Sequence, residues 1–227
     1  MKATPDQAER LHRFAHDLRN RLAAMHQAAA QLANGESAES GELLAFAEQQ
    51  FFKAMRATED LMDDLGVERG VGELKRERID LKALVQHEID QLAHRFERKK
   101  QPVAADLADD AIVSADPHWI KLLVTALLSN ASKFSPANAP IQVLLRLIDG
   151  DAVLDVRDSG IGVDTDELPK VFTRYAMLRG KPTAGEAQGR STLARAKQWA
   201  QAHGGDLEAK SPGAGQGSTF TLRLPLA

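Results

Sequence analysis

The sequence predicts two units in series: an α-helical hairpin, then an α+β layer in which helices cover one face of a mixed sheet. Three observations carry this expectation. Leu11, Phe14, Leu18, Leu22, Met25, Ala29 and Leu32 recur at steps of three and four, the spacing of one buried helical stripe. A second stripe of the same kind follows a short break with turn chemistry at Asn34-Gly35-Glu36-Ser37. Beyond Gly66, Gly70 and Gly72 the pattern changes, and strands follow strands with helices between the groups.

The first helix is expected from about Thr4 to Ala33 and the second from about Ser40 to Leu65. The second places Leu43, Leu44, Ala47, Phe51, Ala54, Met55, Thr58, Leu61, Met62 and Leu65 on its apolar side. A hairpin of two helices cannot bury both stripes in full. Pairing with a second copy into a four-helix bundle would, so a homodimer is expected. The expected domains are 1–66, a linker at 67–73, and 74–227. In the latter, Arg78 to Leu81 gives mixed signals, and Leu81 to Phe96 reads as one amphipathic helix. Val103 to Leu107 and Ala111 to Ser114 read as short strands. Asp116 is the expected N-cap of a helix reaching Lys133, with Pro117 at its first position. Ile141 to Ile148 and Ala152 to Asp158 form a hairpin about Asp149-Gly150. Leu193 to His203 is helical, ended by Gly204-Gly205, and Asp206 to Ala209 and Ser218 to Leu224 are the closing strands.

Composition narrows the function. The 227 residues are 43% hydrophobic and 27% charged, as in ordinary globular proteins. Aromatics are only 5%, so the core must come from Leu, Val, Ile and Ala. A net charge of −3 offers no basic field for nucleic acid. Without cysteine, disulfides and thiolate metal sites are excluded. No apolar run is long enough to span a bilayer and no signal peptide heads the chain, so a cytoplasmic protein without membrane insertion is expected. Any sensing would fall to a separate sensor protein or a missing segment.

The stretch Phe14-Ala15-His16-Asp17-Leu18-Arg19-Asn20-Arg21-Leu22 is the most informative in the chain. His16 lies roughly 160° from the centre of the apolar stripe and should face water. Asp17 adjoins it, and Asn20 lies one turn further along on nearly the same side. A lone surface histidine is ordinarily just solvated, and His12 and His26 are read that way. An exposed imidazole flanked by a carboxylate and an amide suits chemistry better than packing.

A second constellation could build a nucleotide site. Asn130 and Lys133 stand three apart near a helix end: an amide oxygen can hold a hard cation and a lysine can meet phosphate. Asp158-Ser159-Gly160-Ile161-Gly162 follows a strand. Its carboxylate could accept a bond from the exocyclic amine of a base, and its glycines would let the base lie against the backbone. Gly189-Arg190-Ser191-Thr192 precedes a helix whose N-terminus could receive anionic oxygens. Thr219, in Gly217-Ser218-Thr219-Phe220, could add a hydroxyl to the base pocket. Singly, Asp-x-Gly-x-Gly is more often a turn, and Asn130 more often a helix-end residue. Their order and spacing after an exposed-histidine hairpin make the joint reading the better one.

From about residue 6 to 226 the chain resembles the transmitter core of bacterial two-component sensor histidine kinases. Phe14 to Leu22 resembles the phosphoacceptor box, Asn130 to Lys133 the asparagine box, and Asp158 to Gly162 the first glycine box. Val171-Phe172-Thr173-Arg174-Tyr175 resembles the phenylalanine box. Ala202-His203-Gly204-Gly205 and Gly217 to Phe220 resemble the closing part of the ATP-binding domain. The resemblance implies an α-helical hairpin (a four-helix bundle as a dimer) followed by an α/β sandwich of the Bergerat ATPase/kinase type. It implies ATP and Mg²⁺, with Asn130 on the metal, Lys133 on phosphate and Asp158 on adenine. His16 becomes the nucleophile, Asp17 the general base that holds its ring, and Asn20 the residue that orients water in the reverse, phosphatase reaction. Phosphoryl then passes to an aspartate on a response-regulator receiver domain, recognised around His16 and Arg19 and by the second helix.

Four positions depart from the pattern. Ala126 stands where the family has a second asparagine, and Arg21 where it has a helix-kinking proline. In the second glycine box, Gln188-Gly189-Arg190-Ser191-Thr192-Leu193 carries Arg190 and Thr192 where relatives have glycine. Arg190, Lys181 and Arg179 could offset this by meeting phosphate directly. The departures keep open a histidine phosphotransferase or phosphatase with a kinase-defective ATP domain, and behind it a non-catalytic dimeric adaptor.

Overall fold

The computed structural model describes residues 5–33, the positions 43, 46, 47, 50, 51, 53, 54, 57, 58 and 61, and residues 73–227 except 175, 177 and 184–190. The chain divides into two compact units, Met1–Arg69 and Gly70–Ala227. Helix α1 spans Pro5–Ala33, and the described positions between 43 and 61 are helical. The expected turn at 34–37 and linker at 67–73, up to residue 72, lie outside the described residues.

The buried face of α1 is not quite the face the apolar stripe marks. Phe14, Leu18, Arg21, Met25 and Ala28 are buried or half-buried, following a seam of seven-residue steps through 14, 21 and 28. Leu11, Leu22 and Ala29 lie some 60–80° round the helix from that seam and are exposed, Leu22 by 52%. The helix thus has a covered seam and a second, uncovered apolar one. Phe46 and Phe51 add to the exposed apolar surface of this unit, while Ala28 and Ala54 are buried.

In the second unit β1 (Glu77–Asp80) pairs antiparallel with β3 (Ile112–Ala115). Asp80 ends β1 and caps helix α2 (Leu81–Gln91), its carboxylate accepting from the Ala83 amide at 3.1 Å. The helix expected to reach Phe96 breaks at Leu92, and α3 (Ala93–Arg98) follows. No Gly or Pro marks that break. Leu92 leaves helical geometry while its amide still bonds Glu88 and Ile89, and the re-aimed α3 buries Phe96. Helix α4 (Pro117–Phe134) starts as its sequence dictates: the Asp116 carboxylate accepts from the amides of His118 at 3.0 Å and Lys75 at 2.9 Å. Burial pushes the Asp116 carboxyl up, but the amides of Lys75, His118 and Trp119 outweigh it and hold it below the usual carboxylate range.

A five-stranded sheet is ordered β2-β4-β5-β7-β6, from β2 (Val103–Leu107), β4 (Ile141–Ile148), β5 (Asp151–Asp158), β6 (Asp206–Lys210) and β7 (Ser218–Pro225). Only the β2–β4 pair is parallel, because β3 and α4 form the crossover between them. Asp149 and Gly150, both at positive φ, turn β4 into β5. Val143, Leu145, Leu154, Val156, Phe220 and Leu222 line the inner face, against Ile120, Leu123, Leu127 and Leu128 of α4 and Ala196, Trp199 and Ala200 of α5 (Thr192–Ala202). The outer face is laced with charge: Arg146 pairs with Asp106 and Arg157 with Asp155, each at 2.8 Å. This is the mixed sheet, covered on one face by helices, that the sequence predicts. His203 is buried beyond α5: its Nδ1 is 2.6 Å from the Trp199 carbonyl and its Nε2 accepts the Asp116 amide at 3.1 Å. That fixes the Nδ1–H tautomer and ties the end of α5 to the start of α4. Among the described residues no helix is long and apolar enough to cross a membrane.

Candidate phosphoacceptor and nucleotide sites

On α1 the helical geometry that buries Phe14 turns His16 to solvent, as predicted. Its ring partner is Asn20, whose amide nitrogen lies 3.3 Å from Nδ1. Four residues apart, the two share one helix face. Asp17 does not hold the ring. It sits about 100° round the helix, and its carboxylate takes the Nε–H of Arg21 at 2.7 Å. The arginine in the place of the family's proline therefore claims the carboxylate expected to serve His16.

In the second unit a cavity of about 160 Å³ opens between α4, the segment after β5, the start of β7 and the start of α5. Asn130 and Lys133 line it from the last turn of α4, with Ala126 one turn earlier on the same side. Lys133 is buried, its ammonium 5.5 Å from the Phe134 ring centre. Asp158 lines the opposite part from the end of β5, half-buried, with Oδ1 accepting the Gly160 amide at 2.9 Å. Burial raises its carboxyl to about 6 against the opposing bonds from the amides of Gly160 and Ser218. A carboxylic acid poised so near neutrality inside a cleft marks a candidate binding site on physical grounds.

Of the two glycines after Asp158, only Gly162 lines the cavity. A Cβ on Gly160 would stand 2.4 Å from the Phe134 carbonyl oxygen, and Gly160 does not line the cavity. Gly162 does line it, but its φ of +64° and the Gly213 carbonyl, 2.1 Å from any added Cβ, already require glycine. Both let two chain segments meet, and Gly162 does so at the wall of the cavity. Thr219 is a second correction. Strand alternation puts Phe220, opposite Val156, on the inner face, so Thr219, opposite Arg157, falls on the outer one. The hydroxyl residue that β7 brings to the cavity is Ser218, opposite Asp158, which counting back from Phe220 would have found. Ile161, Val163, Leu178 and Phe220 supply apolar walls. The first three come from loop segments with no periodic signal.

Thr192 and Leu193 line the cavity from the first turn of α5, and Ser191 stands at its N-cap. Gly189 and Arg190 lie outside the described residues. The Arg179 guanidinium pairs with Asp164 at 2.8 Å, with Asp166, and with Glu167 at 3.3 Å. Glu167 is buried and also accepts the Arg179 amide at 3.0 Å, so this arginine anchors its own segment. Lys181 is exposed. Phe172 meets Phe220 edge-on at 6.5 Å and carries the Lys197 ammonium 4.9 Å from its ring centre, which fixes the phenylalanine-box segment beside the cavity.

Residues 115–227 match the family of histidine kinase-, DNA gyrase B- and HSP90-like ATPases. The sensor protein KdpD of Clostridium acetobutylicum is 30% identical over 220 residues, 95% of this chain and 24% of that protein. The chain thus spans about a quarter of that relative's length. Among solved structures, histidine kinase ThkA in complex with response regulator protein TrrA has a TM-score of 0.63 at 16% identity, over 96% of this chain and 61% of that one. Full-length ShkA in complex with AMPPNP has a TM-score of 0.61 at 23% identity, over 99% of this chain and 46% of that one. At those identities the two structures speak for the fold.

Proposed function

Since the chain belongs to the histidine kinase-, DNA gyrase B- and HSP90-like ATPases as a two-component histidine kinase transmitter core, we propose that it phosphorylates its own His16 from Mg-ATP. The phosphoryl group then passes to an aspartate of a response-regulator receiver domain, and Asn20 serves the reverse, phosphatase reaction. The observation that carries this is the solvent-facing imidazole of His16 with the Asn20 amide at its Nδ1. A neutral imidazole carries one N–H and one lone pair, so attack through Nε2 requires the proton on Nδ1. Nε2 then bonds the γ-phosphorus, the bond to the β,γ-bridging oxygen breaks, and ADP leaves with that electron pair. Asp17 reaches the ring as base only by leaving Arg21.

The cavity fits the nucleotide. Asp158 offers an acceptor to the adenine amine, Ser218 adds a hydroxyl, and Ile161, Val163, Leu178 and Phe220 wall the base. Lys133 and the first turn of α5 meet the phosphates. For Mg²⁺ the described residues offer one amide oxygen, Asn130, and no cluster of three acidic or histidine ligands. That suits an ion held largely by phosphate oxygens and water, whose role is to neutralise charge on the transferring group. We further infer a homodimer through the uncovered seam of Leu11, Leu22 and Ala29, cytoplasmic placement, and sensing by a separate protein or segment.

Incubation with γ-labelled ATP and Mg²⁺ tests the kinase. Acid-labile, base-stable label should vanish in His16→Gln and persist in His26→Gln, an exposed control on the same helix. Buried His203 is a poor control, because its loss breaks the link between α5 and α4. Label unaffected by His16→Gln would refute the assignment. Ala126 supports a second reading. Its methyl lines the cavity where an amide would face phosphate or metal, which suits a phosphotransferase that no longer works as a kinase. No nucleotide binding by calorimetry, with transfer from a phosphorylated receiver intact, would select it.

A further inference from the structure

The last turn of α4 carries Asn130 and Lys133, and it ends without a glycine cap. A helix leaves its final carbonyls unpaired, and buried ones must find donors elsewhere. Here every donor comes from a distant segment. Lys99 Nζ donates to the Ser132 carbonyl at 2.7 Å. The Thr183 amide donates to the Lys133 carbonyl at 3.1 Å, and the Ile161 amide to that of Phe134 at 3.0 Å. The Thr183 hydroxyl lies 2.7 Å from the Ser135 carbonyl and 3.1 Å from that of Lys133, and accepts from Lys99 Nζ at 2.8 Å. The Gln101 amide nitrogen reaches the carbonyls of Ser132, Ser135 and Pro136 at 3.0–3.1 Å, while its oxygen takes the Ser132 hydroxyl at 2.7 Å.

Lys99 and Gln101 are buried, and exposed Thr183 closes the arrangement at the surface. An ammonium group set inside the protein costs desolvation, and it is best offset at the negative end of a helix dipole, where Lys99 lies. Lys99, Gln101 and Thr183 do not line the cavity. Its effect is to hold the turn bearing Lys133 from behind, through the carbonyl of Lys133 itself.

Building on the nucleotide reading of the cavity, we propose that Lys99 and Thr183 are positioning residues for the phosphate side of the site: by capping α4 they set where Lys133 and Asn130 meet the phosphates. The adenine side rests on Asp158 at the end of β5 and should be indifferent to them. The two halves of the nucleotide thus report on the cap separately. Calorimetry on the full chain with ADP plus Mg²⁺, and separately with adenosine, reads this out. Thr183→Val keeps shape and loses the hydroxyl; Lys99→Met keeps the stem and loses the charge. Each should weaken ADP about fivefold to tenfold and leave adenosine within about twofold, with Thr183→Ser restoring ADP affinity. Unchanged ADP affinity in both variants, or equal loss of ADP and adenosine, would overturn the proposal while leaving the site reading intact. A wild-type chain that binds neither ligand would bring down the site reading, and this proposal with it.

Discussion

Lowering the pH from 8 to 5 should weaken adenosine binding about tenfold, and the cause is one carboxyl group. Burial lifts Asp158 from its ordinary value near 3.8 to about 6. Only the ionised form is a full acceptor for the exocyclic amine of adenine. At pH 8 nearly all of it is ionised in the free protein. At pH 5 about one molecule in ten is, so the apparent affinity falls by about that factor. Stability moves the opposite way. A carboxyl raised on folding gives stability that is fully present below its unfolded value near 3.8 and is lost as pH rises through about 6. A rise from 3.8 to about 6 corresponds to about 3 kcal/mol against the folded apo state at pH 8. Asp158→Asn should therefore be the more stable protein at pH 8, lose that advantage near pH 4, and bind adenosine at least tenfold more weakly at pH 8. Calorimetry at pH 5, 6, 7 and 8 with adenosine, which has no phosphate to titrate in this range, beside urea unfolding of both proteins at the same pH values, measures all three effects. Affinity flat from pH 5 to 8, or a variant that gains no stability at pH 8, would refute the assignment of Asp158 as a buried reader of the base.

Asn20→Ala should slow dephosphorylation of a phosphorylated receiver several-fold while leaving His16 labelling by ATP largely intact; equal loss of both in receiver assays would show that the amide serves the ring rather than water. Light scattering at micromolar concentration should give the mass of a dimer, and Leu22→Lys, which charges the uncovered seam of α1, should shift it to monomer without loss of helical circular dichroism. Leu154→Ala, a fully buried position between β4 and β7, should cost about 2–5 kcal/mol in urea unfolding of the second unit; less than about 1 kcal/mol would mean that the inner face is not a close-packed core.

The elements of the second unit were legible because local chemistry and burial agree along most of it. Asp116 followed by Pro117 starts a helix, Asp149-Gly150 turns a hairpin, and alternation in β4 matches the face that α4 and α5 cover. The break at Leu92 was not legible, since only the tertiary burial of Phe96 asks for it. Site residues divide on the same line. Asn130, Lys133 and Asp158 were readable because each stands at the end of a regular element, where side-chain direction follows from spacing. Thr219 was misplaced by one residue, and with period two a slip of one residue reverses the face. Ile161, Val163 and Leu178 left no trace, because loops impose no period.

His16 and Asp17 show where a motif and a structure part company. A sequence box places a carboxylate next to an imidazole and suggests that the two cooperate, yet neighbours on a helix point about 100° apart and rarely meet. Partners on a helix surface are found four residues on, and both acceptors of this pair have theirs: Asn20 for His16 and Arg21 for Asp17. The Asp17–Arg21 pair is a weak surface interaction, so it sets a small barrier rather than a block. Its consequence is an order of events. In the proposed kinase reaction Asp17 would turn from Arg21 toward the ring, so Arg21, in the place of the family's proline, would bear on the rate of phosphorylation. The phosphatase role proposed for Asn20 would need no such step, because its amide already stands at the ring.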